Sequence, residues 1–154
     1  MSEFVSFEDY LDKYGTLVYT NVGTSMLPLI RQGRDAMVIG KRPEVLKQYD
    51  VVLYHLNGRY VLHRLIGGSK AKGYVIRGDN CEAAEVGIPD SAVIGVLKAV
   101  IRDGAGGGSH RIEVDSEEFR RYTRYIIRRY PFWRIYRKAR HFVGRVLRKL
   151  GLRK

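Results

Sequence analysis

The chain has 154 residues and a formal net charge of +12, and the excess charge is confined to one end. Residues 120–154 hold 14 Lys and Arg with no Asp or Glu, which leaves 14 basic against 16 acidic residues before them, a net of −2. This split predicts an ordinary globular domain over 1–115 and a basic tail over 116–154. A single cysteine, Cys81, excludes an intramolecular disulfide and fits a reducing compartment.

Glu3, Glu8, Asp9 and Asp12 give the N-terminus an acidic start, unlike a secretory signal. No run approaches 18 apolar residues, so no transmembrane helix is predicted. The expectation is a cytoplasmic protein, peripheral to a membrane.

In chain order, Phe4, Phe7, Tyr10 and Leu11 predict a helix over 2–14, ended by Gly15. Ser6, with Asp9 three residues on, equally caps a shorter one. Residues 16–22 read as a strand that Gly23 breaks. Further strands are predicted over 35–39, 50–56, 59–66, 74–77, 92–102 and 110–114. Asn57-Gly58 marks a hairpin between the third and fourth strands. Short strands divided by turns, without βαβ alternation, predict a mainly β domain.

Three stretches carry candidate chemistry. Ser25 lies in Gly23-Thr24-Ser25-Met26-Leu27-Pro28-Leu29, where a strand gives way to a turn at an exposed rim. His63 lies in Val61-Leu62-His63-Arg64-Leu65-Ile66, on one strand face with Val61 and Leu65. Asp79 lies in the turn-forming Gly78-Asp79-Asn80. Taken singly, these read as a helix cap or turn, a satisfied sheet histidine and a turn. Together they form the set that nucleophilic catalysis needs. A serine requires a base to take its proton, and the base requires an acceptor to fix its tautomer.

These boxes, in this order, resemble serine peptidases of the signal peptidase type, whose nucleophile lies in an S-M-x-P box. Bacterial members mostly carry Lys in a K-R-[VI]-[IV]-G box. The reading His63-Arg64-Leu65-Ile66-Gly67 is similar to the endoplasmic-reticulum branch, which uses His. Residues 88–95 resemble the strand that follows G-D-N, and the likeness covers roughly residues 15–102.

The resemblance implies a β peptidase fold related to the self-cleaving repressors. It also implies Ser25 as nucleophile, His63 as base, and Asp79 as orienting acid, acting directly or by shaping the turn. The Ser25 N–H, with Gly23 or Thr24, would meet the oxyanion, and Met26 and Pro28 would position substrate. An extended peptide or preprotein would lie beside a strand edge. The His-using branch often has a second acid beyond G-D-N, and here Glu85 stands in that region. The N-terminal membrane anchor usual in that family is not expected here. No metal or cofactor is expected, since no metal-ligand spacing joins His55, His63 and Asp79.

In the tail, Asp115-Ser116-Glu117-Glu118 reads as a helix start, and Phe119, Tyr122, Ile126 and Tyr130 follow as a stripe. Beyond Pro131, Ile135, Ala139, Phe142, Val143, Val146 and Leu150 form an apolar face. Trp133, Arg134, Arg137, Lys138, Arg145, Arg148 and Lys149 supply an aromatic start and a basic remainder. This pattern predicts basic amphipathic helices on an anionic membrane surface, ranked above nucleic acid because the apolar face is continuous. Two other functions remain on the sequence alone: a regulatory or nucleic-acid-binding protein on the self-cleaving repressor fold, and an inactive peptide-binding relative.

Overall fold

The structure, a computed structural model, describes residues 6–20, 22–103, 107–131 and 145. Its first helix, α1 (Phe7–Tyr14), is the shorter of the two that the sequence permits. Ser6 Oγ accepts from the Asp9 N–H at 3.1 Å, and Gly15, at φ 75°, returns its N–H to the Leu11 carbonyl. Both are ordinary helix stops: a short hydroxyl at the start and a residue free to turn left-handed at the end. Residues 2–5 of the longer predicted helix lie outside the described residues.

Eight strands follow: β1 (Thr16–Thr20), β2 (Ala36–Lys41), β3 (Val51–Leu56), β4 (Arg59–Ser69), β5 (Gly73–Arg77), β6 (Glu85–Ile88), β7 (Val93–Asp103) and β8 (Ser109–Glu113). A 3-10 turn, Asp90–Ala92, leads into β7. The sheet order is β1-β2-β7-β3-β4-β5-β6, with β8 also paired to β7, and the pairings are antiparallel. The domain is mainly β, as the alternating sequence predicts. Asn57 and Gly58, both at positive φ, make the tight β3–β4 hairpin and so fix its register.

That register decides which side chains meet. His63 stands opposite Val52, and Val61 opposite Tyr54, so these four share one face. Val52 and Tyr54 belong to a buried cluster with Leu65, Tyr74, Ile76, Ile88 and Val96, and Val61 packs against it. Each such side chain contributes on the order of 1.5–3 kcal/mol by leaving water. Arg64, one residue on, points to the opposite face of β4.

The β1–β2 connection carries Ser25 and is held by its own apolar residues. Met26, Leu29 and Ile30 are buried, at 1%, 2% and 0% exposure. Its far end is tied by Asp35, itself fully buried. The Asp35 carboxylate receives the Arg31 N–H at 2.8 Å and the Arg31 guanidinium at 2.7 Å. Burial opposes ionisation of Asp35, but these hydrogen bonds prevail and hold its carboxyl below the usual carboxylate range. Arg102 reaches the Leu29 carbonyl at 2.8 Å and so ties the same loop to β7.

The predicted helix start at 116 is present. Ser116 Oγ accepts from the Phe119 N–H at 3.2 Å, and helix α2 spans 117–131 of the described residues. By internal contacts the chain divides into Met1–Arg120 and Arg121–Lys154. Phe119, within the first unit, is buried and lies over the Arg64 guanidinium at 5.7 Å. A domain cut after residue 115 would therefore remove a side chain that covers Arg64. Trp133, Arg134, Arg137, Lys138, Arg148 and Lys149 lie outside the described residues, while Arg145 is helical and exposed. Among the described residues, no helix is long and apolar enough to cross a membrane.

Candidate active site

Ser25 and Gly78-Asp79-Asn80 are distant in sequence and stitched together by backbone. The Asn80 N–H donates to the Ser25 carbonyl at 2.8 Å, and Asn80 Nδ2 donates to the Thr24 carbonyl at 3.1 Å. The β1–β2 turn is thus clamped onto the loop after β5. Pro28 follows a cis peptide bond in the same turn.

Gly78 is the meeting point. A Cβ built there would lie 2.7 Å from the Ser25 carbonyl oxygen, 3.0 Å from His63 Nε2 and 2.6 Å from Cys81 Sγ. The serine loop and the imidazole edge therefore converge beside this residue, and only a glycine leaves room for both. Ser25 Oγ and His63 make no hydrogen bond among the described residues. Gly78→Ala should lower turnover at least about tenfold by prising the two apart, because small displacements of reacting groups are costly. Thermal unfolding measured alongside cleavage checks this. Wild-type turnover in that variant would show that the convergence does not matter.

The other nitrogen of the ring meets a carboxylate. His63 Nδ1 lies 3.1 Å from Glu85 Oε1 and 3.3 Å from the Tyr54 hydroxyl. The Tyr54 hydroxyl donates to Glu85 Oε1 at 2.6 Å. A carboxylate accepts and does not donate, so Nδ1 carries the ring proton and Nε2 is left with a lone pair. That nitrogen borders Gly78, as does the Ser25 carbonyl. Burial and the Glu85 carboxylate both make the Tyr54 phenol harder to ionise, so it remains a donor.

Of the two roles expected of Asp79, direct support of His63 or shaping of the turn, its hydrogen bonds agree with the second. Both Asp79 oxygens are taken by Arg64, which donates Nε at 2.8 Å and Nη2 at 2.7 Å. The pair is fully buried, and Arg64 Nη1 also reaches the Tyr49 carbonyl at 3.1 Å. The reason is the pleat. His63 and Arg64 are neighbours on β4 and point to opposite faces, and Asp79 bonds to Arg64 while its charge still favours the protonated form of His63. Asp79 thus shapes the turn that carries Gly78 and Asn80.

The expectation for Met26 is corrected. Its side chain is 1% exposed, so it anchors the loop from below and does not line a substrate surface. Gly23, at φ 141°, supplies the bend before the serine, and Thr24 and Pro28 are exposed beside it. His55 stacks on Tyr60 and contacts Glu8 at 3.0 Å, so it takes no part in the His63 cluster.

His63 is 8% exposed, and burial pushes its pKa below the ordinary imidazole value while the Glu85 carboxylate opposes the shift. The ring is therefore neutral, and able to accept a proton, at neutral pH. The unfolded chain binds this proton at higher pH than the folded one. Stability should therefore fall as pH drops below about 6.5 and level off beneath the folded value. Activity should persist below about pH 6.5, where an unperturbed histidine is largely protonated. A histidine titration by NMR beside a pH–rate profile checks both. A midpoint above about 6.5 would mean that Glu85, not burial, dominates.

Cys81 lies beside Gly78. Burial raises its thiol pKa, which keeps it protonated. Tyr54, Arg64 and the strand bearing Glu85 are site elements that sequence reasoning missed, although Glu85 itself was marked by its place after G-D-N.

No protein-family model matches the chain, and no curated protein matches it.

Proposed function

We propose that the protein is a serine endopeptidase of the signal peptidase type, with Ser25 as nucleophile, His63 as general base and Glu85 as the orienting acid. The observation that carries this reading is the two-sided setting of His63. Its Nδ1 lies 3.1 Å from the Glu85 carboxylate, and its Nε2 and the Ser25 carbonyl oxygen both border Gly78, within 3.0 and 2.7 Å of where a Cβ would stand there.

In this reading Ser25 Oγ attacks a peptide carbonyl carbon while His63 Nε2 takes the hydroxyl proton. The negative charge moves to the carbonyl oxygen. The Ser25 N–H has no acceptor among the described residues and would receive that oxygen. His63 then gives its proton to the departing amine as the C–N bond breaks. Water attacks the resulting ester, loses a proton to His63 and releases the acid, and Ser25 regains its proton.

The substrate would be an extended peptide. β1 lies at the end of the sheet order and runs directly into the Ser25 turn. A chain added along its open edge gains main-chain hydrogen bonds and is carried past the serine. Val18 and Val22, at 59% and 79% exposure, offer apolar contact along that approach. The basic residues after 120 support a site of action at an anionic membrane surface, where preproteins or membrane-borne peptides would be met.

Incubation with a defined library of extended peptides, read by mass spectrometry, tests the function. Defined internal cleavages by the wild type, absent from the Ser25→Ala protein, are expected. Peptide binding without cleavage would instead assign an inactive relative of the same fold.

A further inference from the structure

Helix α2 has two unlike sides. Within the second unit, Ile126 is 2% exposed, and Tyr122 and Tyr130 are half-buried beside it along the helix. Arg121, Arg124, Tyr125, Arg128 and Arg129 are all exposed. Their spacing of three, four, seven and eight residues places them on one face, an arc of about 140°. They surround a shallow groove of about 490 Å³, walled largely by arginine stems and the tyrosine ring. Tyr125 stands at its centre with 54% exposure. The Arg129 guanidinium lies over its ring at 5.9 Å, and Arg129 Nη1 donates to its hydroxyl at 3.3 Å.

We infer that this face docks on the phosphate layer of an anionic phospholipid membrane. The inference rests on the membrane reading above and names the surface that makes the contact. Four guanidinium groups on one side of a rod suit a plane of phosphates, since guanidinium is by type a two-pronged phosphate donor. A tyrosine among them suits the headgroup level, where an amphipathic ring keeps its body apolar and its hydroxyl wet. The arginine stems give the groove hydrocarbon walls below a charged rim, which matches the change from headgroup to glycerol backbone.

The residues downstream of α2 favour lipid over nucleic acid. Phe132, Trp133, Phe142, Val143, Val146 and Leu150 continue the basic segment with apolar residues, and no acidic residue interrupts it. A bilayer offers hydrocarbon to such residues, and a nucleic-acid backbone does not. The buried side of α2 also explains the mode of contact. With Ile126 already covered, the helix has its charged face to offer, so it rests on the headgroups and does not sink among the acyl chains.

The test is sedimentation of the full-length protein with phosphatidylcholine vesicles, with and without phosphatidylserine, and with single-stranded DNA. It is repeated with R121E/R124E/R128E. The wild type should pellet with the anionic vesicles and not with the neutral ones. The triple variant should bind them more than about tenfold more weakly, since each basic residue near the surface is worth about fivefold. Cleavage of a soluble peptide should be unchanged.

Arginine footprinting of the wild type with phenylglyoxal covers the case in which the variant does not fold. Anionic vesicles should protect Arg121, Arg124, Arg128 and Arg129 and leave Arg34 reactive. Undiminished vesicle binding by a folded triple variant, or no protection of these arginines in bound wild type, would overturn the assignment of this face while leaving the membrane reading in place. Wild-type protein that binds the DNA and ignores anionic vesicles would overturn both.

Discussion

Replacing Ser25 with alanine should lower peptide cleavage by at least about 10⁴-fold while leaving the fold intact. Loss of a triad nucleophile removes the covalent route altogether, and what remains is the small acceleration from binding and oxyanion contacts. Among the described residues the hydroxyl makes no hydrogen bond that alanine would forfeit. Ser25 engages its surroundings through its carbonyl, which accepts from Asn80, and an alanine at this position would keep that bond. The neighbours Met26, Leu29 and Ile30 hold the turn from below. Circular dichroism and thermal unfolding should thus match the wild type while turnover collapses. Activity within about tenfold of wild type would remove Ser25 from the chemistry.

The second large effect separates the two carboxylates. Asp79→Ala should destabilise the protein by about 3–5 kcal/mol, because it leaves the Arg64 charge buried and unpaired. For a chain of this size that lowers the melting temperature by on the order of 10 °C. Glu85→Gln should do the reverse. Its side chain is 44% exposed, so stability should change little. The ring proton of His63 would lose its charged acceptor, and turnover should fall by about 10²–10⁴-fold. Replacing Arg64 and Asp79 together with apolar residues of similar volume should recover much of the lost stability. The outcome that would reverse these roles is a fully stable but inactive Asp79→Ala protein beside an active Glu85→Gln protein.

The sequence made the strands legible wherever apolar residues alternate between turn signals. β3 and β4 are delimited by Asn57-Gly58, and α1 by Ser6 and Gly15. The strand β6 was hidden because it has four residues with Gly87 among them, and its pairing with β5 comes from a distant segment. The same distance hid the acid. Gly78-Asp79-Asn80 sits close to His63 in space, and a motif alone favours its aspartate as the partner. The pleat of β4 turns Arg64 toward Asp79 and leaves His63 to face Tyr54 and Glu85. That choice depends on which face each side chain takes and on the register of β5 with β6, neither of which a local pattern contains. Met26 was misjudged for a similar reason. Proximity to the serine suggested contact with substrate, while its depth beneath the turn is a property of the folded core.

In the proposed mechanism Ser25 is a nucleophile activated by His63. The most direct measurement is covalent capture with a fluorophosphonate, which phosphonylates an activated serine and expels fluoride. Intact-mass and peptide mapping should show one adduct, on Ser25, absent from Ser25→Ala and formed far more slowly by His63→Ala. It should also form more slowly with falling pH, following protonation of the imidazole. No adduct on the folded wild type, an adduct at another residue, or equal labelling of the His63→Ala protein would contradict the account.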